Sequence, residues 1–259
     1  MSNRFKSRYD DDINLFEGRW HLAQYALLVA LLLAAPWLLG TYYLGELTAV
    51  LIWSLAGLGL MLISGHTGQV SLGHAAFMAI GAFTNLALMM RGWHFIPALL
   101  ASAVTSGVLG AIISRPILRM SGIYLAIATL ALSIIIEDVS IIAEPITGGV
   151  AGLFAPPIDM FGLKIDRYTS PAAFYYLCLT VLVIVTLGYL NLLRSASGRS
   201  FLAVRDSEVS ARALGVNVAR AKTLSFALSC AMTGLAGALY AHLAQAVNYE
   251  SFLVLISIT

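Results

Sequence analysis

Pro171-Ala-Ala-Phe-Tyr-Tyr-Leu-Cys-Leu-Thr-Val-Leu-Val-Ile-Val-Thr-Leu-Gly-Tyr-Leu-Asn-Leu-Leu193 runs without a single charge and is followed at once by Arg194. A helix needs about 20 apolar residues to cross a bilayer, so this stretch reads as a transmembrane helix with a basic flank. Similar runs recur at 24–44, 47–64, 73–90, 95–114, 122–142 and 223–243. An eighth begins near Phe252 and stops with the chain at Thr259. So short a run cannot cross, and the chain is expected to be incomplete at its C-terminus. The predicted fold class is all-α: a polytopic transmembrane helical bundle with about eight spans visible.

Composition agrees. The chain of 259 residues is 59% hydrophobic and 11% charged, with a mean hydropathy of +0.86. No soluble domain hides that much apolar surface. A transmembrane barrel would show alternating segments of about 10 residues, and these runs are longer and uninterrupted. A net charge of +2 gives no footprint for a nucleic-acid partner. Cys178 and Cys230 fall inside apolar runs and read as buried free thiols. The N-terminus, polar through His21 with Asp10-Asp11-Asp12, is not a secretory signal. Residues 1–21 read as a cytosolic tail and 22–259 as the membrane domain.

Lysine and arginine placement sets the expected orientation. The tail carries Arg4, Lys6, Arg8 and Arg19; the turn after the fourth span carries Arg115 and Arg119; the loop 194–222 carries Arg194, Arg199, Arg205, Arg212, Arg220 and Lys222. With the N-terminus inside and each run crossing once, all three fall on the cytoplasmic face. The other face holds Arg91, Lys164 and Arg167 among five carboxylates, and includes the loop 143–170 with its prolines and glycines.

Three segments carry candidate mechanism. In the inside loop, Asp206 or Ser207 can cap a helix, Val209, Ala213 and Leu214 form a narrow apolar stripe, and Gly215 supplies a left-handed stop. The result reads either as a docking helix for a soluble partner or as a solvated interfacial helix. The second segment, Ser64-Gly-His-Thr-Gly-Gln-Val-Ser-Leu-Gly-His-Ala-Ala-Phe-Met-Ala-Ile-Gly-Ala-Phe83, is rich in glycine and small polar residues between apolar runs. Irregular backbone at membrane depth must be buried in protein or line a cavity. Gln69, Ser71 and His74 are therefore candidates to meet a passing solute, or else a packing hinge. The third is Arg119 to Ala131, followed by Thr147-Gly-Gly-Val-Ala-Gly-Leu153. Glu137 and Asp138, late in the fifth run, suit either ion coupling or a helix end near the outer interface. Small residues at four-residue spacing, such as Ala103, Gly107 and Ala111, or Ala227 and Ala231, read as helix packing. The chain has no GxxxxGK[ST] phosphate loop, no plausible nucleophile–base arrangement and no metal-ligand cluster, so no enzymatic role is expected.

These segments resemble a known family. Gly198-Arg199, Ala203 to Glu208, Ala213 to Asn217 and Gly234 to Tyr240 are similar to the coupling loop and following helix of ABC importer permeases. Gly65-x-x-Gly-Gln-Val-Ser-Leu-Gly-His-Ala-Ala-Phe77 resembles the LivM-type permeases for branched-chain amino acids. The third segment resembles that family's fifth helix and outer loop, departing from it at Ile134, Val150 and Ala151. The resemblance spans roughly 45–259 and implies a permease subunit in the inner membrane. Its implied partners are a second permease, two ABC ATPase subunits that bind the ATP, and an extracytoplasmic solute-binding protein. This chain would hold no cofactor of its own. The implied pathway residues are Gln69, Ser71, His74, Thr147, Gly148 and Gly149. The implied ATPase-coupling residues are Arg205, Asp206, Glu208, Ala213, Leu214 and Gly215. The rival readings are an ion-coupled secondary transporter using Glu137 and Asp138, and a structural membrane scaffold.

Overall fold

The computed structural model describes residues 19–117, 122–160 and 163–252. Seven apolar helices match the predicted runs: α1 Arg19–Leu38, α2 Thr41–Leu60, α3 His74–Met90, α4 Phe95–Ile117, α5 Ile123–Ile142, α7 Pro171–Arg194 and α10 Val218–Ala244. Between them lie a single turn α6 Glu144–Thr147 and two short helices, α8 Ala196–Asp206 and α9 Glu208–Ala213. The helices starting at Thr41, Phe95, Ile123, Pro171 and Val218 are long and apolar enough to cross a membrane, while the apolar parts of α1 and α3 are shorter. Apart from its last three residues, which begin α1, the predicted tail 1–21 lies outside the described residues. So does the eighth run beyond Phe252.

One boundary differs from expectation. The run predicted over 24–44 breaks at Leu39-Gly40, where one helix ends and the next begins. Hydropathy is continuous across that break, so only the flexible backbone of Gly40 marks it. The chain divides after Leu44 into two units, and α1 belongs to the first.

The core of the second unit is α10, packed against both α3 and α4, which also pack on each other. Small residues permit this. A Cβ on Gly81 of α3 would collide with the backbone of Gly234 on α10, and one on Gly237 would collide with the Met78 carbonyl. Backbone contact at that distance, with Ala236, Ala238 and Ala241 fully buried beside it, lets dispersion act where lipid offers no hydrophobic drive. Phe77 and Phe226 lock the same interface edge to face, with ring centroids 5.7 Å apart. The outer helices turn apolar side chains outward: Leu100, Val104, Val108 and Ile112 form one exposed stripe on α4, with Val183, Ile184 and Leu187 on α7. An exposed apolar surface of this kind belongs in hydrocarbon.

Two antiparallel β pairs close the end opposite α8 and α9. β1 (Leu153–Phe154) pairs with β4 (Ala246–Val247). β2 (Ile158–Met160) and β3 (Leu163–Ile165) pair in a hairpin, Ile158 opposite Ile165.

Candidate functional site

The glycine-rich segment is a break between two helices. After Leu60, α2 widens into a π turn over Met61–Gly65, a local irregularity that recurs at functional sites. Side chains satisfy the carbonyls it frees: Thr67 Oγ1 donates to Leu62 O at 3.0 Å, and His66 Nδ1 lies 3.2 Å from Met61 O. Gly68 then adopts φ +69°, and the Gln69 amide reaches back to Ile63 O. Residues 68–73 are non-helical, and α3 starts at His74. From α5, Thr129 Oγ1 accepts the Leu72 amide at 3.0 Å. A Cβ on Gly73 would press on the Thr129 carbonyl. Protein covers part of the irregular backbone: Thr67, Gln69, Ser71 and Gly73 are buried, while Gly68 and Val70 are exposed.

Ser71 and His74 are buried in a bonded chain. Ser229 Oγ of α10 donates to Gly59 O of α2 at 2.5 Å and lies 2.6 Å from His74 Nε2. The hydroxyl has one hydrogen, so the ring must donate from Nε2, and Nδ1 accepts from Ser71 Oγ at 3.1 Å. Three elements are thereby tied at one point. Gln69 differs. It retains 4% of its surface, and among the described residues neither Oε1 nor Nε2 has a partner. An unpartnered buried amide costs about 1–3 kcal/mol, so it is the polar group of this site with unmet demand.

Thr147, Gly148 and Gly149 sit elsewhere. Thr147 Oγ1 donates to Ser140 O at 2.6 Å and accepts from the Gly149 amide, closing the end of α5. Gly148 is left-handed at φ +73°. From Thr129 to the end of α5 at Ile142 the helix rises about 20 Å. The two groups of candidates therefore lie at different depths, not in one pocket. Late in α5, Asp138 is exposed and Glu137 half-buried. Neither makes an ion pair or hydrogen bond among the described residues.

The loop after α7 is more ordered than a single helix. Ser195 caps α8, accepting from the Gly198 amide, and Phe201 and Val204 are buried beneath it. Ser207, not Asp206, caps α9, accepting from the Ser210 amide at 3.2 Å; Asp206 is the last residue of α8. The stop is a full Schellman arrangement: Val216 N donates to Ala211 O and Gly215 N to Arg212 O, with Gly215 at φ +85°. Ala211 packs into an apolar cluster with Leu62, Tyr189, Phe201, Val204, Val218 and Ala221. Glu208 faces Lys222 of α10 at 2.5 Å, and the lysine side chain is almost wholly buried. Val209 and Leu214 are instead 81% and 82% exposed. Ala213 is exposed beside them. Arg205 forks onto Asp206 Oδ1 and donates to Gly65 O at 3.2 Å.

Residues 42–259 match the family described as branched-chain amino acid transport system / permease component. The chain belongs to this family. It is a multi-pass membrane protein of the permease class. It is 33% identical over 248 residues to the high-affinity branched-chain amino acid transport system permease protein LivM of Salmonella typhimurium, covering 87% of this chain and 58% of that one. The identity to LivM of Escherichia coli is also 33%, over 252 residues, covering 87% and 59%. An autoinducer 2 import system permease protein, LsrC of Escherichia coli, is 26% identical over 222 residues, covering 83% and 62%. The chain thus spans under two thirds of the length of these relatives. No solved structure matches it.

Several buried polar residues of this chain carry no local sequence signature of their partners. Ser229, Thr129, Asn85 and His242 are buried polar partners within apolar runs. His242 Nε2 and Asn85 Oδ1 lie 2.9 Å apart between α10 and α3. A polar side chain inside a span is itself a readable signal. The helix α8 was readable too, from Ser195 followed by Phe201 and Val204 at helical spacing.

Proposed function

We propose that this chain is the membrane-spanning permease subunit of an ATP-driven importer for branched-chain or related hydrophobic amino acids. A second permease, two ABC ATPase subunits and an extracytoplasmic solute-binding protein complete the assembly in the inner membrane, with the N-terminus in the cytoplasm. The ATPases bind the ATP; this chain carries no catalytic residue and no cofactor. The observation that carries the reading is the permease-family match across 42–259. The short helix α9 supports it: its own cluster and the Lys222 ion pair hold it in place, yet it offers Val209 and Leu214 outward. An exposed apolar pair on a braced helix is suited to seat in a groove of a soluble partner.

In this reading Arg205, Asp206, Glu208, Ala213, Leu214 and Gly215 belong to the coupling loop. Gln69, buried at the helix break, carries an unpartnered side-chain amide that can donate and accept toward a zwitterionic solute once uncovered. Ser71 and His74 hold that break in shape. Thr147, Gly148 and Gly149 shape the outer end. The test is co-expression with the ATPase genes of the same locus. Leu214→Glu and Val209→Glu should abolish ATPase co-purification while membrane yield stays at the wild-type level. Retained co-purification with unchanged uptake would refute the docking role.

A further inference from the structure

The loop that would meet the motor is also joined to the helix break that carries Gln69, and one side chain makes the joint. Arg205 closes α8. Its guanidinium reaches Gly65 O at 3.2 Å, the last carbonyl of the π turn. Nε and Nη2 meanwhile donate to Asp206 Oδ1, both at 3.1 Å, in a pair that is open to solvent. The stem of the same residue lies on Gly68: a Cβ there would stand 3.1 Å from Arg205 Cγ and 3.6 Å from its Cα. Val209, which is exposed, lies four positions after Arg205, and the buried Gln69 lies four positions after Gly65. Two further contacts run parallel to the joint. Leu62 of the π turn is fully buried against Phe201 and Val204 of α8 and Ala211 of α9. Tyr189 Oη of α7 lies 3.0 Å from His66 Nδ1.

We propose that Arg205 is a positioning residue that transmits displacement of the α8–α9 loop to residues 65–69, and so governs whether the Gln69 amide is covered or presented. The inference rests on the coupling-loop reading above. A π turn has an alternative α register, which suits it to a two-state response. The charge-assisted bond from Arg205 pulls on its terminal carbonyl, while the contact on Gly68 pushes on the following turn. Movement of α8 therefore acts on both sides of His66 and Thr67.

The test uses the assembled transporter purified from its own locus, with hydrogen exchange of peptides covering 64–73 compared between nucleotide-free and vanadate-trapped states. In the wild type the two states should differ in exchange by about tenfold, the size of one charge-assisted hydrogen bond made or lost. In assembled Arg205→Ala transporter the difference should shrink to about twofold or less. Arg205→Lys keeps the stem and the charge but lacks the planar fork, and should lose more than about half of the response. This second variant decides the matter if the alanine variant fails to assemble. A wild-type response in either assembled variant, or no nucleotide response in the wild type, overturns the role of Arg205. Failure of the wild-type chain to co-purify with any ATPase instead overturns the coupling-loop reading, and this inference with it.

Discussion

Ser229→Ala removes one hydroxyl from the centre of the molecule, and the geometry states what that costs. Ser229 Oγ donates to Gly59 O at 2.5 Å and accepts from His74 Nε2 at 2.6 Å. Gly59 O lies within α2 and Ser229 within α10, so deletion of the hydroxyl also unties these two helices. The heavier loss is on the histidine. His74 is 7% exposed, and its Nε2–H would be left without a partner, at about 1–3 kcal/mol for a buried donor. Hydrogen bonds between membrane helices average nearer 0.6 kcal/mol and reach about 1.7. An expected loss of about 1–2 kcal/mol follows, or a Tm lower by about 3–6 °C for a domain of this size. His74→Leu removes the ring and makes the Ser229 bond irrelevant. Adding Ser229→Ala to it should therefore cost less than in the wild type, giving a coupling of about 1 kcal/mol in the double-mutant cycle. The assay is thermal unfolding in detergent, followed by the monodisperse fraction on size exclusion. Strict additivity, within about 0.3 kcal/mol, would refute the bonded chain. Lost uptake with unchanged Tm in His74→Leu would place the ring in the solute path instead.

Other perturbations test other parts. Gly237→Val drives a side chain into the Met78 backbone and should cost more than about 3 kcal/mol, read as loss of monodisperse protein. Gly57→Ala, with nothing near its Cβ, should leave yield unchanged or raise it. Glu208→Lys sets a second cation against the buried Lys222 and should reduce uptake at least about tenfold with normal membrane insertion; wild-type uptake would remove the ion pair from the account. Gln69→Leu relieves an orphaned amide and should hold or raise Tm while abolishing solute-stimulated uptake; a lowered Tm with intact uptake would assign Gln69 to structure.

The spans were legible because membrane helices advertise themselves by length and hydropathy: α3, α5 and α7 begin and end within a residue of their predicted runs. The break at Gly40 was not, because it interrupts the backbone without interrupting the apolar run. Caps were legible where a side chain acts on its own helix, as with Ser207 and the Gly215 stop. The glycine-rich segment was recognised as a special region, but its wiring was hidden. His74 finds Ser229 across 155 residues and Leu72 finds Thr129 across 57, and no local pattern encodes such a pairing. The two candidate solute regions, at 69–74 and 147–149, read as one pathway along the chain; only the rise of α5 shows their separation in depth.

The most direct measurement is uptake into proteoliposomes that hold the assembled transporter, with the solute-binding protein and labelled branched-chain amino acid outside and ATP inside. Uptake should require both ATP and the binding protein and persist when an ionophore collapses the ion gradients. Uptake that continues without ATP and stops with the ionophore would contradict it, and would turn attention to Glu137 and Asp138.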